Sequence, residues 1–255
     1  MLSKNQIAEI QRLHLKKQRA QQQLFIVEGI KSVLETIELV PGNVQRIFAV
    51  SRFVSNNSEQ LKNVRSKIIE ISEDELRKIS LQANPNEVLA ICRNLDFPEE
   101  NFDGSNSFSL YLDDIRDPGN MGTIIRLADW FGIKVIYCTD ESCEVYNPKV
   151  IQASMGAFLR VQVIYCGLAG LIERYSVKNV YGAVLNGRNI YEEDLQNGIV
   201  VIGNEANGIS ELNLENVNLP LTIPAASGNG TESLNAAMAT AIICSEFFRR
   251  KISAG

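Results

Sequence analysis

Apolar residues along this chain alternate between helical spacing and short continuous runs. Ile7, Ile10, Leu13 and Lys17 mark one stripe of a first helix that should extend to about Gln22. LFIVEG then reads as a strand, IKSVLETIEL as a helix and VQRIFAV as a strand, followed by a polar, helix-prone stretch. IIEIS, a helix over SEDELRKI and VLAICR complete an alternating α/β unit over residues 1–93. Ser72 and Glu75 stand three apart, the spacing of a capping box, and fix the start of that helix. The stretch 94–107, NLDFPEENFDGSNS, is rich in Asn, acid, Pro and Gly and reads as a linker.

Over 108–255 the alternation restarts: FSLYLDDI, helix GTIIRLADWFG, KVIYC, helix PKVIQASMGAF, VQVIYC, helix LAGLIERYS, VYGAVL, IVVIGNE, LTIP and a last helix SLNAAMATAIICSEFFRRK. Strands this short and this uniformly apolar, separated by helices, predict a parallel sheet covered on both faces. The fold class is therefore α/β, a smaller unit ahead of a larger parallel-sheet domain.

Composition narrows the partners. With 255 residues, 45% of them hydrophobic and 22% charged, the chain has the make-up of one large or two modest globular domains. No apolar run approaches the ~20 residues that span a bilayer. The N-terminal segment also lacks the apolar core of a secretion signal. A cytoplasmic protein with no membrane partner is expected. Cys92, Cys138, Cys143, Cys166 and Cys244 are scattered, and the sole histidine is His14, so reduced thiols and no metal site are expected. The net charge of −5 is unevenly spread. Over residues 1–31, Lys4, Arg12, Lys16, Lys17, Arg19 and Lys31 face only Glu9 and Glu28, leaving +4 there and −9 on the remainder. A basic arm on an acidic body suggests RNA contact at that end, although a solvated helix face would look the same.

Ligands of open α/β sheets bind where loops leave the carboxyl ends of strands, and three such loops carry polar residues. In DDIRDPGNMGTIIR a turn of Asp117, Pro118 and Gly119 precedes Asn120 and Gly122, with Arg126 a turn further along. In IGNEANGIS, Gly203 ends a strand and Asn204, Glu205 and Asn207 form a turn closed by Gly208. A carboxylate so close to a buried strand needs a partner, for which an arginine is the natural choice. In IPAASGNGTESLNAA a flexible stretch runs into a helix whose start holds Ser233 and Asn235. Other chemistries lack their motifs. There is no GxGxxG after a strand, no GxxxxGK[ST], no GxSxG, and no histidine near these loops.

Taken together, the loops resemble the SpoU/TrmH family of the SPOUT superfamily, the RNA ribose 2′-O-methyltransferases. Its first motif matches Asn120, Gly122, Arg126, Ala128 and Gly132; its second, Gly203, Asn204, Glu205 and Gly208; its third, Ile223, Pro224, Glu232, Ser233, Leu234 and Asn235. NPKVIQASMGA is similar to a helix of the family, with Ser154, Gly156 and Ala157, and residues 1–93 to its N-terminal substrate-binding domain. The chain departs from the pattern by about two extra residues in AASGNGTE, and by SLNAAMATA where SLNVSVA is commoner.

The resemblance implies a SPOUT domain with a deep trefoil knot, preceded by an α/β/α RNA-binding domain. It implies S-adenosylmethionine as cofactor, touched by Gly203, Asn204, Ile223 and Leu234 and by a loop at Leu185, Asn186 and Gly187. It implies a homodimer through the C-terminal domain, with Arg126 reaching toward the partner's cofactor. Arg126 would act on the ribose hydroxyl either as a base or as an electrostatic clamp. Asn120, Ser233 and Asn235 would orient ribose and arginine, and Glu205 would fix the loops or pair with a cation. Lys16, Lys17 and Arg19 are the expected RNA contacts of the front domain. Structured ribosomal RNA, of the large subunit, is the expected substrate. A transfer-RNA enzyme, a base methyltransferase and a catalytically silent RNA-binding paralogue are the rival readings.

Overall fold

A computed structural model describes residues 1–97, 108–226 and 232–253. The stretch 98–107 of the expected linker and 227–231 of the AASGNGTE segment lie outside the described residues. The chain divides into two units, one comprising Met1–Asp96 with Glu144–Leu159, the other Phe97–Cys143 with Arg160–Gly255. Residues 144–159 fall in the sequence of the second domain and yet are grouped with the first unit.

In the first unit, α1 (Lys4–Arg12) is followed by α2 (Lys16–Gln22), β1 (Leu24–Glu28), α3 (Ile30–Leu39), β2 (Val44–Ala49), α4 (Ser51–Asn56), β3 (Ile68–Glu70), α5 (Glu73–Ile79) and β4 (Val88–Arg93). The single N-terminal helix expected to Gln22 is instead two. Ser3 caps α1 with a capping box, and the chain turns at Leu13–Leu15 before α2 begins. Ile10 and Leu13 stay buried through that turn. The capping box expected at Ser72 and Glu75 is formed. The sheet runs β1-β4-β2-β3, with β4 antiparallel to both neighbours and β2 parallel to β3. Its core takes in Phe25, Val27, Phe48, Phe53 and Leu89, and also Ile151 and Phe158 from the returning segment. Tyr146 stacks on Phe25 with ring centroids 4.4 Å apart, and Phe158 meets the same ring edge-on at 5.9 Å. That segment's helix, α7 (Pro148–Ser154), is capped by Asn147.

The second unit contains β5 (Phe108–Leu112), α6 (Pro118–Trp130), β6 (Val135–Cys138), β7 (Gln162–Tyr165), α8 (Leu168–Tyr175), β8 (Val180–Asn189), β9 (Gly198–Ile202), a short α9 (Glu211–Leu214) that the apolar pattern does not announce, β10 (Leu219–Thr222) and α10 (Ala236–Ser253). Its strands form one parallel sheet in the order β10-β8-β9-β5-β6-β7. Tyr111, Tyr137, Ile199 and Val201 share one hydrophobic cluster with Leu168 and Leu171 of α8. Leu110, Leu112, Ile136 and Val200, on the alternate positions, are buried as well, so both faces are covered. Phe247 stacks on Phe108 at 4.5 Å and meets Tyr181 edge-on at 5.1 Å, which docks α10 on the sheet. Among the described residues no helix is long and apolar enough to cross a membrane.

Candidate active site

From β5 the chain builds outward through β6 and β7, then returns to place β9 on the other side of β5. The order therefore reverses between β5 and β9, and the crevice at their carboxyl ends is the expected ligand site of such a sheet. The loops leaving β5 and β9 and the segment entering α10 meet there.

After β5, Asp113 is 2% exposed and its carboxylate accepts the Ser210 N–H at 2.7 Å. Asp117 caps α6 by accepting the Asn120 N–H at 2.8 Å, with Pro118 in the first turn. After β9, Gly203 is required by a close approach: a Cβ there would lie 2.2 Å from the Gly208 carbonyl carbon. Asn204 and Gly208 exchange backbone hydrogen bonds of 2.9 and 2.8 Å, and the Asn204 side-chain oxygen accepts the Ala206 N–H at 2.8 Å. Its amide donates to the Asp114 carbonyl at 2.8 Å, tying the β9 loop to the β5 loop.

This turn presents Glu205. Its Oε1 accepts the Asn120 amide at 2.8 Å, the Asn235 amide at 2.5 Å and the Ala236 N–H at 3.1 Å. Asn235 also donates to Asn120 Oδ1 at 2.9 Å, while its own oxygen accepts the Ala237 and Met238 N–H groups and so caps α10. Three residues from three loops thus share one network, at positions 120, 205 and 235. One expectation is corrected: Glu205, exposed just beyond its buried strand, takes its partners among the described residues from amides, not from an arginine. A polar loop can keep a carboxylate wet and still fix it through three N–H donors.

The remaining predicted residues are placed as follows. Arg126 is exposed on α6, with no hydrogen bond or ion pair to the described residues. Ser233 and Leu234 are exposed just before Asn235, and Ile223 is half-buried. Leu185, Asn186 and Gly187, expected in a loop, lie within β8. The register explains both descriptions. Pro220 pairs with Gly182 while the next residue, Leu221, pairs with Arg188, so Ala183–Gly187 bulge out of the β8–β10 ladder. Thr222 Oγ1 bridges the bulge to the Leu185 carbonyl at 3.0 Å. Gly187 fits because a Cβ would stand 2.6 Å from the Leu221 carbonyl carbon. In the first unit Lys16 and Lys17 are exposed, as an RNA contact requires. Arg19 is 4% exposed, pairs with Glu144 at 2.5 Å and donates to the Leu13 carbonyl at 2.8 Å. It is a structural cation, which corrects its assignment as an RNA contact.

The model of the SpoU rRNA Methylase family matches residues 107–245, and that of the MRM3-like substrate binding domain matches residues 4–90. The chain is 29% identical to the 23S rRNA (guanosine(2553)-2′-O)-methyltransferase RlmP of Bacillus subtilis, over 94% of this chain and 95% of that one. It is 36% identical to a solved structure from Porphyromonas gingivalis assigned to the TrmH family of RNA methyltransferases, with a TM-score of 0.83 over 98% of this chain and 99% of that one. An AdoMet-bound rRNA methyltransferase structure from Sinorhizobium meliloti, 24% identical, shares the fold with a TM-score of 0.85 over 98% of this chain and 96% of that one.

Proposed function

Because the chain belongs to the SpoU rRNA methylase family, we propose that it methylates a ribose 2′-hydroxyl of large-subunit ribosomal RNA, using S-adenosylmethionine. The observation that carries the reading is the Asn120–Glu205–Asn235 network at the sheet's switch point. A polar network drawn from three separate loops at the carboxyl ends of the strands favours a site that positions reacting groups over a surface that only docks RNA.

The described residues fit the cofactor. Over Ala183–Gly187 the bulge leaves peptide groups without ladder partners in β10; the Leu185 carbonyl is taken by Thr222, and the others can meet a heterocycle edge. Leu185 and Leu234, 69% and 47% exposed, offer apolar surface for its adenosine. Leu185, Asn186, Gly187, Gly203, Asn204, Ile223 and Leu234 would hold it. S-adenosylmethionine supplies an electrophilic methyl group on sulfonium. This chain's part is to hold the ribose oxygen in line with that methyl, and positioning alone is worth roughly 7–11 kcal/mol for well-oriented reactants. Arg126 acts as a clamp, not a base, because a guanidinium scarcely gives up its proton in a protein. It holds the target phosphate and stabilises the developing alkoxide, whose proton leaves to solvent by way of that phosphate. Asn120, Glu205 and Asn235 keep the loops in register as positioning residues, and Ser233 stands free to meet the ribose.

The assembly proposed is a homodimer through α6 and α10. Trp130 is 81% exposed, Met238 and Phe248 are exposed too, and Phe131 meets Phe248 edge-on at 5.6 Å. Such an apolar strip on adjoining helices is what a subunit interface covers. A trefoil knot is also proposed. Its support is that the chain leaves the sheet's edge at β10 and comes back to put Asn235 beside Asn120 and Glu205. The test of function is 2′-O-methyl mapping of ribosomal and transfer RNA, in cells with and without the protein and in vitro with purified protein. Methylation confined to transfer RNA would overturn the ribosomal assignment, and none on any RNA would overturn the enzyme.

A further inference from the structure

Arg116 has no role in the site as described, yet its setting is unusual. Asp114, two residues before it, sits at φ +57°, a left-handed conformation that a non-glycine residue adopts at a cost. Both its backbone groups are engaged: its N–H donates to Thr139 Oγ1 at 3.0 Å and its carbonyl accepts from Asn204 at 2.8 Å. The backbone at 114 is therefore pinned to the ends of β6 and β9. Its carboxylate accepts the Arg116 Nε–H at 2.7 Å. Arg116 itself stays open to solvent, with its side chain 70% exposed. It stands one residue before the Asp117 cap and four before Asn120.

The geometry points to Arg116 as a phosphate clamp for the RNA backbone beside the target nucleotide. This inference rests on the methyltransferase reading above. The chemistry lies in which guanidinium edge is used. Asp114 takes Nε, so both terminal NH2 groups are without partners among the described residues and can grip one phosphodiester through two parallel hydrogen bonds. Asp114 limits the rotamers of Arg116, so less freedom is lost when RNA arrives. The cation is held at the carboxyl edge of a chain with a net charge of −5, where an RNA backbone would otherwise meet acid.

Three variants of the full-length protein test the clamp, using an unmodified transcript of large-subunit ribosomal RNA as probe. Arg116→Ala should raise the RNA KM about tenfold, the scale of a lost hydrogen bond to a charged group, with a smaller fall in kcat. The dependence of RNA affinity on KCl should flatten by about 0.7–0.9 in log–log slope, one phosphate contact. Arg116→Lys should recover the slope and only part of the KM, since an ammonium keeps the charge without the planar fork. Asp114→Asn tolerates the left-handed backbone and frees Arg116, so it should raise KM by less than Arg116→Ala and leave the slope near wild type. A purely structural role would lower S-adenosylmethionine binding by calorimetry and leave the salt slope alone, which would overturn the clamp. Wild-type KM and slope in Arg116→Ala, in a protein whose parent methylates the transcript, would overturn it as well. A parent that methylates no RNA would overturn the function reading, and the clamp with it.

Discussion

A guanidinium that is 4% exposed and ion-paired within its own fold has no face left for a phosphate, so the basic residues of α2 divide into two roles. Lys16→Ala with Lys17→Ala should weaken RNA binding and reduce the salt slope by up to about 0.7–0.9 per lysine, without moving the urea midpoint. Arg19→Ala should do the reverse. Removing one partner of a buried pair costs about 3–5 kcal/mol, and because Glu144 keeps some solvent contact the loss should fall at the lower end. A triple Ala variant would confuse the two, and equal stability of Arg19→Ala and wild type would return Arg19 to the RNA surface. Glu28 gives a pH signature. Burial pushes its carboxyl above the usual carboxylate value of 4.5, against the hydrogen bonds from Ser80 and the Leu81 N–H. A raised folded pKa contributes stability that is full below the unfolded value and lost as pH rises through the folded one. Glu28→Gln, neutral throughout, should therefore gain on wild type as pH climbs from 4.5 toward neutrality. Parallel urea midpoints for the two proteins across that range would refute it.

Helix α10 begins where the site does, and one residue serves both. Asn235→Ala removes the cap, at about 1 kcal/mol, together with the donor to Glu205. Asn235→Asp keeps a capping oxygen and sets a second carboxylate against Glu205. Thermal stability should survive better in Asp than in Ala, while methylation should fall in both by about 10²-fold, the effect of a misplaced site. Activity that tracks stability across the pair would reduce Asn235 to a cap. Many of these elements were legible from the chain because each is signalled locally, as by Ser72 with Glu75 and by the apolar runs of the six-stranded sheet. Helix α6 was placed too late: Pro118 and Gly119 read as a turn ahead of the helix, and they lie in its first turn, capped by Asp117. The site motifs were legible as residues but not as contacts. Nothing near Glu205 in sequence says that its donors come from positions 120 and 235. The bulge at Ala183–Gly187 was hidden for a similar reason, since it exists only against β10, which lies more than thirty positions further along. Arg19 was misread because its partner Glu144 is 125 positions away, and the break at Leu13–Leu15 because the buried stripe continues across it.

Two subunits should be needed to complete one site. Arg126 has no partner among the described residues, while Asn120, Glu205 and Asn235 hold one another. If Arg126 serves the neighbouring subunit's ribose, then Arg126→Ala and Asn235→Ala, each inactive alone, should on mixing restore roughly a quarter of wild-type turnover, one intact site in half of the dimers. Mixed dimers that form and stay inactive would place the whole site in one chain. Trp130→Glu should separately shift the protein to monomer by light scattering. The return of residues 144–159 to the first unit bears on how the protein can be taken apart. The polypeptide passes from one unit to the other three times, so cutting the linker alone does not yield two finished pieces. A fragment of 108–255 would keep Tyr146, Ile151 and Phe158 but lose Phe25 and the strands that cover them. It should bind a hydrophobic dye and aggregate, and co-expressed 1–96 should suppress both and co-purify with it. The two halves would then behave as a split protein, whose reassembly reports on the integrity of the front unit.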